Sequence, residues 1–221
     1  MANHAQAQRA RLAGLLTGAG PDAPTLCAGW RTRDLVAHLL VRERRPDAAP
    51  GIQLPALAGW TRRVQDGYAR RPYERLVREF RGGPPRLSLF ALPGVDELAN
   101  GVEYFVHAED VRRAAPGGWE PEPLDPELTE LLWRRLPLPA RIGVGRRTPL
   151  RVQLRRADRP GLLTVGAPDG EPVEVAGEPA ELLLFAFGRG ARARVVVDGA
   201  PAAVDALRAR LPLPAADASD G

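Results

Sequence analysis

The chain has 221 residues, 44% hydrophobic and 26% charged, which allows one large domain or two smaller ones and excludes a stapled mini-protein, a collagen-like repeat and a wholly disordered chain. Its 31 basic residues outnumber 27 acids by only four, and every one of them is an arginine. Arginine does not titrate below pH ~12, so the pI of about 10.1 reflects residue choice rather than a clustered basic face of the kind nucleic acid requires.

The Ala/Gly/Pro/Arg richness, with 23 Gly and 23 Pro, reads as codon bias of a GC-rich genome, and most of the arginine is assigned to helix surfaces. Met1–Leu16 has scattered arginines and no apolar core of signal-peptide length. The longest apolar runs, Leu35–Val41 and Leu182–Phe187, fall well short of the ~18 residues of a membrane span. The single cysteine, Cys27, excludes an internal disulfide and a multi-cysteine metal site. These features predict a soluble, cytoplasmic protein, monomeric or at most dimeric, with no membrane or nucleic-acid partner.

In chain order, His4 to Thr17 has apolar positions at helical spacing and stops at Gly18-Ala19-Gly20-Pro21. Thr32 is placed as the N-cap of a second helix running to about Arg44, ended by Pro46. Asp47–Pro55 reads as a loop, and Ala58–Arg70 and Pro72–Arg81 as two further helices. After Gly82-Gly83-Pro84-Pro85 a long helix runs from about Val95 to Ala115, followed by a shorter one, Pro126–Leu136. The signal changes after Pro139. Leu150–Leu154, Leu162–Val165 and Val173–Val175 read as strands, Pro179–Phe187 as a helix, Ala193–Val197 as a strand and Pro201–Leu211 as a helix. That order predicts an α+β chain: a helical domain over 1–140, a small α+β domain with an antiparallel sheet over 141–212, and a flexible tail over 213–221.

Chemistry concentrates in the helices. His38 lies in a run that is apolar all round, Leu35-Val36-Ala37-His38-Leu39-Leu40-Val41, so its imidazole is desolvated and must find a partner. Spacing alone leaves open whether that partner is a carbonyl of the core or a ligand. On the long helix Asp96, Asn100, Glu103, His107 and Asp110 form one polar stripe about 80° wide. A solvated helix face would look similar. This stripe, however, holds no arginine before the helix end, in a chain that puts arginine almost everywhere else. Glu103 and His107 stand one turn apart and can reach a common point. A carboxylate and an imidazole so placed suit a divalent metal, zinc foremost, and His38 would complete a three-ligand site with a position open to water or substrate.

The segment Cys27-Ala28-Gly29-Trp30-Arg31-Thr32-Arg33-Asp34-Leu35-Val36-Ala37-His38-Leu39 resembles the C-x-G-W signature of the mycothiol-dependent maleylpyruvate isomerase family, one of the DinB-like metal-binding four-helix bundles. Glu103-Tyr104-Phe105-Val106-His107 resembles its Glu-x-x-x-His element, and Gly177–Arg189 the Gly-Arg-terminated helix of its sterol-carrier-like second domain. The resemblance implies His38, Glu103 and His107 as metal ligands. It also implies mycothiol, the small thiol of actinobacteria, as cosubstrate, with a small electrophile as its partner. Metal binding would deprotonate the thiol for addition, giving cis–trans isomerisation if the thiolate is expelled and S-transfer if it is retained. The loop Val41–Ile52 departs from the isomerase, which leaves the substrate open.

Three further residues are candidates beside a bland reading. Arg42, one turn beyond His38, suits a carboxylate of thiol or substrate, or is a solvated helix-end cation. Asp110 suits orientation of a ligand, or is a surface acid. Arg189 suits an anion clamp, or complements its helix dipole. Cys27 is read as a packed thiol, the tryptophans as packing residues and His4 as exposed. Metal-assisted hydrolysis and a non-catalytic metal or thiol sensor or ligand carrier stand as alternatives.

Overall fold

The apolar spacing of the first hundred residues builds helices that share one core. The computed structural model describes residues 4–52, 54–85 and 95–215, with side chains of the last stretch from residue 100 onward. Two compact units result, Met1–Glu120 and Pro121–Gly221, so the division falls ahead of the expected 140/141 boundary.

The first unit holds α1 (His4–Ala19), α2 (Thr32–Arg44), α3 (Ala58–Ala69), α4 (Tyr73–Arg81) and α5 (Val95–Arg112). Leu12 and Leu16 of α1, Leu35, Val36, Leu39 and Leu40 of α2, Leu76 and Phe80 of α4, and Tyr104, Ala108 and Val111 of α5 form one buried cluster. α3 packs on α2 through Val64 and Val41 in a smaller cluster with Ala48. The segment expected as a plain loop carries two short 3-10 turns, Ala49–Ile52 and Pro55–Leu57. Thr32 begins α2 but does not cap it. Its hydroxyl donates to the Gly20 carbonyl, and the residue before it, Arg31, donates its N–H to Asp34 at 2.9 Å.

Arginine is not confined to surfaces, contrary to the compositional reading. Arg9 is buried in α1, where it donates to Glu43 at 2.8 and 2.9 Å, to the Phe80 carbonyl at 3.1 Å and to the Tyr104 hydroxyl at 2.7 Å. Arg113 is equally enclosed, donating to Glu109 at 2.6 Å and stacking on Trp119. A buried guanidinium is tolerable only because its partners replace the water it loses.

The second unit comprises α6 (Pro126–Arg135), α7 (Pro137–Ala140) with a π turn at Arg141–Gly145, strands β1 (Arg151–Arg156), β2 (Leu162–Gly166) and β3 (Pro172–Gly177), α8 (Pro179–Leu184) with a π turn at Phe185–Arg189, β4 (Val196–Gly199) and α9 (Pro201–Arg208). Strand order is β2-β1-β3-β4. Alternation buries Val152 and Leu154 of β1 and Val173 and Val175 of β3, the sheet against which α8 and α9 pack. The expected element order is present, but the sheet is mixed, because β1 and β3 run parallel. The reason lies in the five-residue link after β2, which crosses the start of β1 instead of turning back beside β2. Ala167 donates its N–H to the Leu150 carbonyl at 3.0 Å, and Arg151 to that of Glu171 at 3.0 Å. A Cβ on Gly166 would strike the Leu150 carbonyl and one on Gly170 the Pro149 carbonyl, so only glycine permits so close a crossing. No helix among the described residues is long and apolar enough to cross a membrane.

Candidate metal centre

His38 projects from the middle of α2 with 8% exposure. Its ring lies 5.0 Å from that of Trp30 and 5.7 Å, edge-on, from that of His107. On α5 the one-turn spacing brings Glu103 and His107 to the same face. Nε2 of His38 stands 3.6 Å from Glu103 Oε1, and Nε2 of His107 stands 3.8 Å from the same oxygen. One ligand atom from each of the three lies within 4.8 Å of the others. Tetrahedral zinc, with bonds of about 2.1 Å, spaces its ligand atoms about 3.4 Å apart. Two imidazoles and one carboxylate at these separations therefore fit a single divalent ion with little movement.

The other atoms of the triad are held from behind. Glu103 Oε2 pairs with Arg42 Nη2 at 2.7 Å, and Arg42 Nη1 donates to the side-chain oxygen of Asn100, a fully buried residue. Burial pushes the Glu103 carboxyl up, but the His38 hydrogen bond and the charges of Arg42 and His107 outweigh it and hold the group below the usual carboxylate range. His107 Nδ1 lies 2.9 Å from Asp110 Oδ2, and Asp110 is fully buried. The Asp110 carboxylate favours a proton on Nδ1, so that in the neutral ring it is Nε2 that carries the lone pair, on the side of Glu103 and His38.

The turn that carries the C-x-G-W residues touches both imidazoles. The Cys27 thiol donates to Asp110 at 3.2 Å and sits 4.0 Å from His107 Nδ1, while Trp30 lies on His38. Gly29, at φ +76°, supplies the left-handed residue, Trp30 N–H closes onto the Cys27 carbonyl at 2.9 Å, and Leu26 N–H anchors the turn on the Asp110 carbonyl at 3.1 Å. Cys27, His107 and Asp110 also form a compact donor group. The Asp110 carboxylate already receives both the thiol and the imidazole, so this group braces His107.

Over residues 2–91 the chain matches the family model of the mycothiol maleylpyruvate isomerase N-terminal domain. The resemblance carried by Cys27–Leu39 is thereby shown. The matched span contains His38 and ends before Glu103 and His107. Among solved structures, a crystal structure of the mycothiol-dependent maleylpyruvate isomerase matches with a TM-score of 0.52 and 16% identity, over 88% of this chain and 90% of that one. A histidine-to-alanine mutant of the mycothiol-dependent maleylpyruvate isomerase matches with a TM-score of 0.50 at the same identity and coverage. At that identity the likeness is one of fold. No curated protein matches the chain.

The structure thus brings His38, Glu103 and His107 together, with Asp110 behind His107 and Arg42 on Glu103. Arg189 belongs to the second unit, where its half-buried side chain donates to the Phe187 carbonyl at 2.6 Å. The side chain of Asp96, the first member of the polar stripe, lies outside the described residues. Three contributors were missed as such: Asn100, which was seen in the stripe without a role, and Cys27 and Trp30, which were read as packing residues. Their signal was available in the proximity of both to His38 in one short motif.

Proposed function

We propose that the chain is a metal- and mycothiol-dependent enzyme that adds a thiol to a small conjugated electrophile and, by expelling it again, isomerises the double bond. The observation that carries this reading is the pair of imidazole Nε2 atoms directed at one Glu103 oxygen, in a chain whose N-terminal segment matches the isomerase family. His38, Glu103 and His107 would hold the ion, zinc foremost. A divalent ion bound there supplies the positive charge that makes a thiol a thiolate at neutral pH.

The residues of the chain prepare that chemistry. Asp110 retains the proton on His107 Nδ1 and keeps Nε2 a lone-pair donor. Arg42 orients Glu103, and the Trp30 ring against His38 limits that imidazole's rotation. With the thiol supplying the sulfur nucleophile, no cysteine of the protein need form a covalent bond. The sulfur lone pair adds to one carbon of the C=C bond, the former double bond rotates as a single bond, and elimination restores the alkene and the thiol. Retention of the C–S bond would give S-transfer.

The test uses the full chain loaded with zinc, mycothiol and a panel of electrophiles headed by maleylpyruvate. Mycothiol should raise the melting temperature of the zinc-loaded protein and support isomerisation that the metal-free protein lacks. Zinc binding without thiol-dependent turnover of any electrophile would contradict the enzyme reading, and thiol-independent hydrolysis would replace it with a metal-assisted hydrolase.

A further inference from the structure

The two oxygens of Glu103 live in different surroundings. Oε1 faces the imidazoles of His38 and His107 at 3.6 and 3.8 Å, while Oε2 is taken by Arg42 at 2.7 Å. Arg42 stands one turn after His38 on α2, so it shares that face. Its second nitrogen donates to Asn100, which lies on α5 one turn before Glu103. One planar guanidinium therefore spans two α5 side chains, and the buried Asn100 amide fixes where its fork points.

We infer that Arg42, braced by Asn100, is a positioning residue that sets the denticity of Glu103, keeping it a one-oxygen ligand and so leaving open the coordination position that the thiol needs. The inference rests on the triad reading given above and adds to it what decides how many positions remain. A carboxylate binds a divalent cation through one oxygen or through both. With both oxygens free, the second would compete with an incoming thiol. A charge-assisted hydrogen bond of 2.7 Å opposes that swing. Lysine at the same place would supply the charge on Oε2 but not the fork that also engages Asn100.

Cobalt(II) replaces zinc as the probe, because its visible absorption is strong in four-coordinate sites and weaker when a fifth ligand enters. The wild-type chain should take up one cobalt with the strong spectrum and, on addition of 2-mercaptoethanol, develop a thiolate charge-transfer band. Arg42→Met should retain the cobalt, with visible absorption reduced to about half or less and the apparent affinity for 2-mercaptoethanol lowered about tenfold. Arg42→Lys should recover part of the intensity, and Asn100→Leu should move the spectrum in the same direction as Arg42→Met by a smaller amount. If Arg42→Met does not fold, the Asn100→Leu spectrum decides. Wild-type spectra and thiol affinity in these variants at full cobalt loading would overturn the inference and leave the triad standing. Failure of the wild-type chain to bind cobalt would overturn both.

Discussion

Glu103 and Glu109 lie on the same helix less than two turns apart, and their surroundings differ in kind. Glu109 receives three arginines: Arg11 at 2.7 Å, Arg112 at 2.6 Å and Arg113 at 2.6 Å. Burial pushes its carboxyl up, but these guanidinium groups overcome that and bring it down to about 2. Glu103 has one arginine on one oxygen and two imidazoles facing the other. Both are paired carboxylates held below their usual range, so charge pairing alone does not separate them. The useful distinction is what the partners are. Arginines at neutral pH only donate and give a cation nothing to bind, whereas two imidazoles, when neutral, can each offer an Nε2 lone pair beside a carboxylate oxygen and so form a ligand set.

The sharpest way to break this comparison is to remove one negative charge at a time. Glu103→Gln should weaken zinc binding by at least about 100-fold. Its melting temperature should stay within a few degrees of wild type, since the glutamine carbonyl still accepts from Arg42. Competition with a chelator and a thermal melt check the two halves. Glu109→Gln should do the reverse, leaving one zinc per chain but costing about 3–5 kcal/mol of stability, because it strands buried guanidinium charge. Equal loss of metal in both variants would erase the distinction.

The same pair differs along the pH axis. A carboxyl whose folded pKa is depressed adds stability above its unfolded pKa and loses it as pH falls toward the folded one. With Glu109 held at about 2, its contribution of about 3 kcal/mol is present at neutrality and drains away between about pH 5 and pH 2. Denaturant melts across that window should show a steep acid slope in wild type and a flatter one in Glu109→Gln.

How much of this was legible beforehand depended on whether the information was local. The Glu103–His107 pairing follows from one-turn spacing on a single helix, and Asp110 from one further turn. His38 was not decided by spacing, since an imidazole in an apolar helix satisfies either a core or a ligand reading, and the motif resemblance was needed to choose. Arg42 could be placed on the His38 face of α2, but nothing in its own segment says that α5 presents Glu103 and Asn100 to it. The stripe that looked empty of arginine is entered by one from another helix. Arg9 likewise reads as a surface residue until Glu43, Phe80 and Tyr104 arrive around it from distant parts of the chain. Strand positions were readable from alternation, whereas the parallel pairing of β1 and β3 depended on a glycine-lined crossing that alternation does not encode.

Two smaller effects sharpen the account of the brace behind His107. Asp110→Asn should lower zinc affinity about 10–100-fold while the protein still binds one ion, because the imidazole loses the carboxylate that fixes its tautomer. Cys27→Ala should lower it by less than about tenfold, a thiol being a weak donor, and should leave turnover thiol-dependent. If Cys27→Ala abolished metal binding outright, the thiol would be a ligand and not a brace.

The central claim is that His38, Glu103 and His107 form one metal site on this helical unit. Calorimetric titration of zinc into the metal-free full-length chain tests it most directly, with His107→Ala as the variant and Glu109→Gln as the control. The account predicts one zinc per chain for the wild type and for Glu109→Gln, and none for a folded His107→Ala. One zinc bound by His107→Ala with wild-type affinity would contradict it.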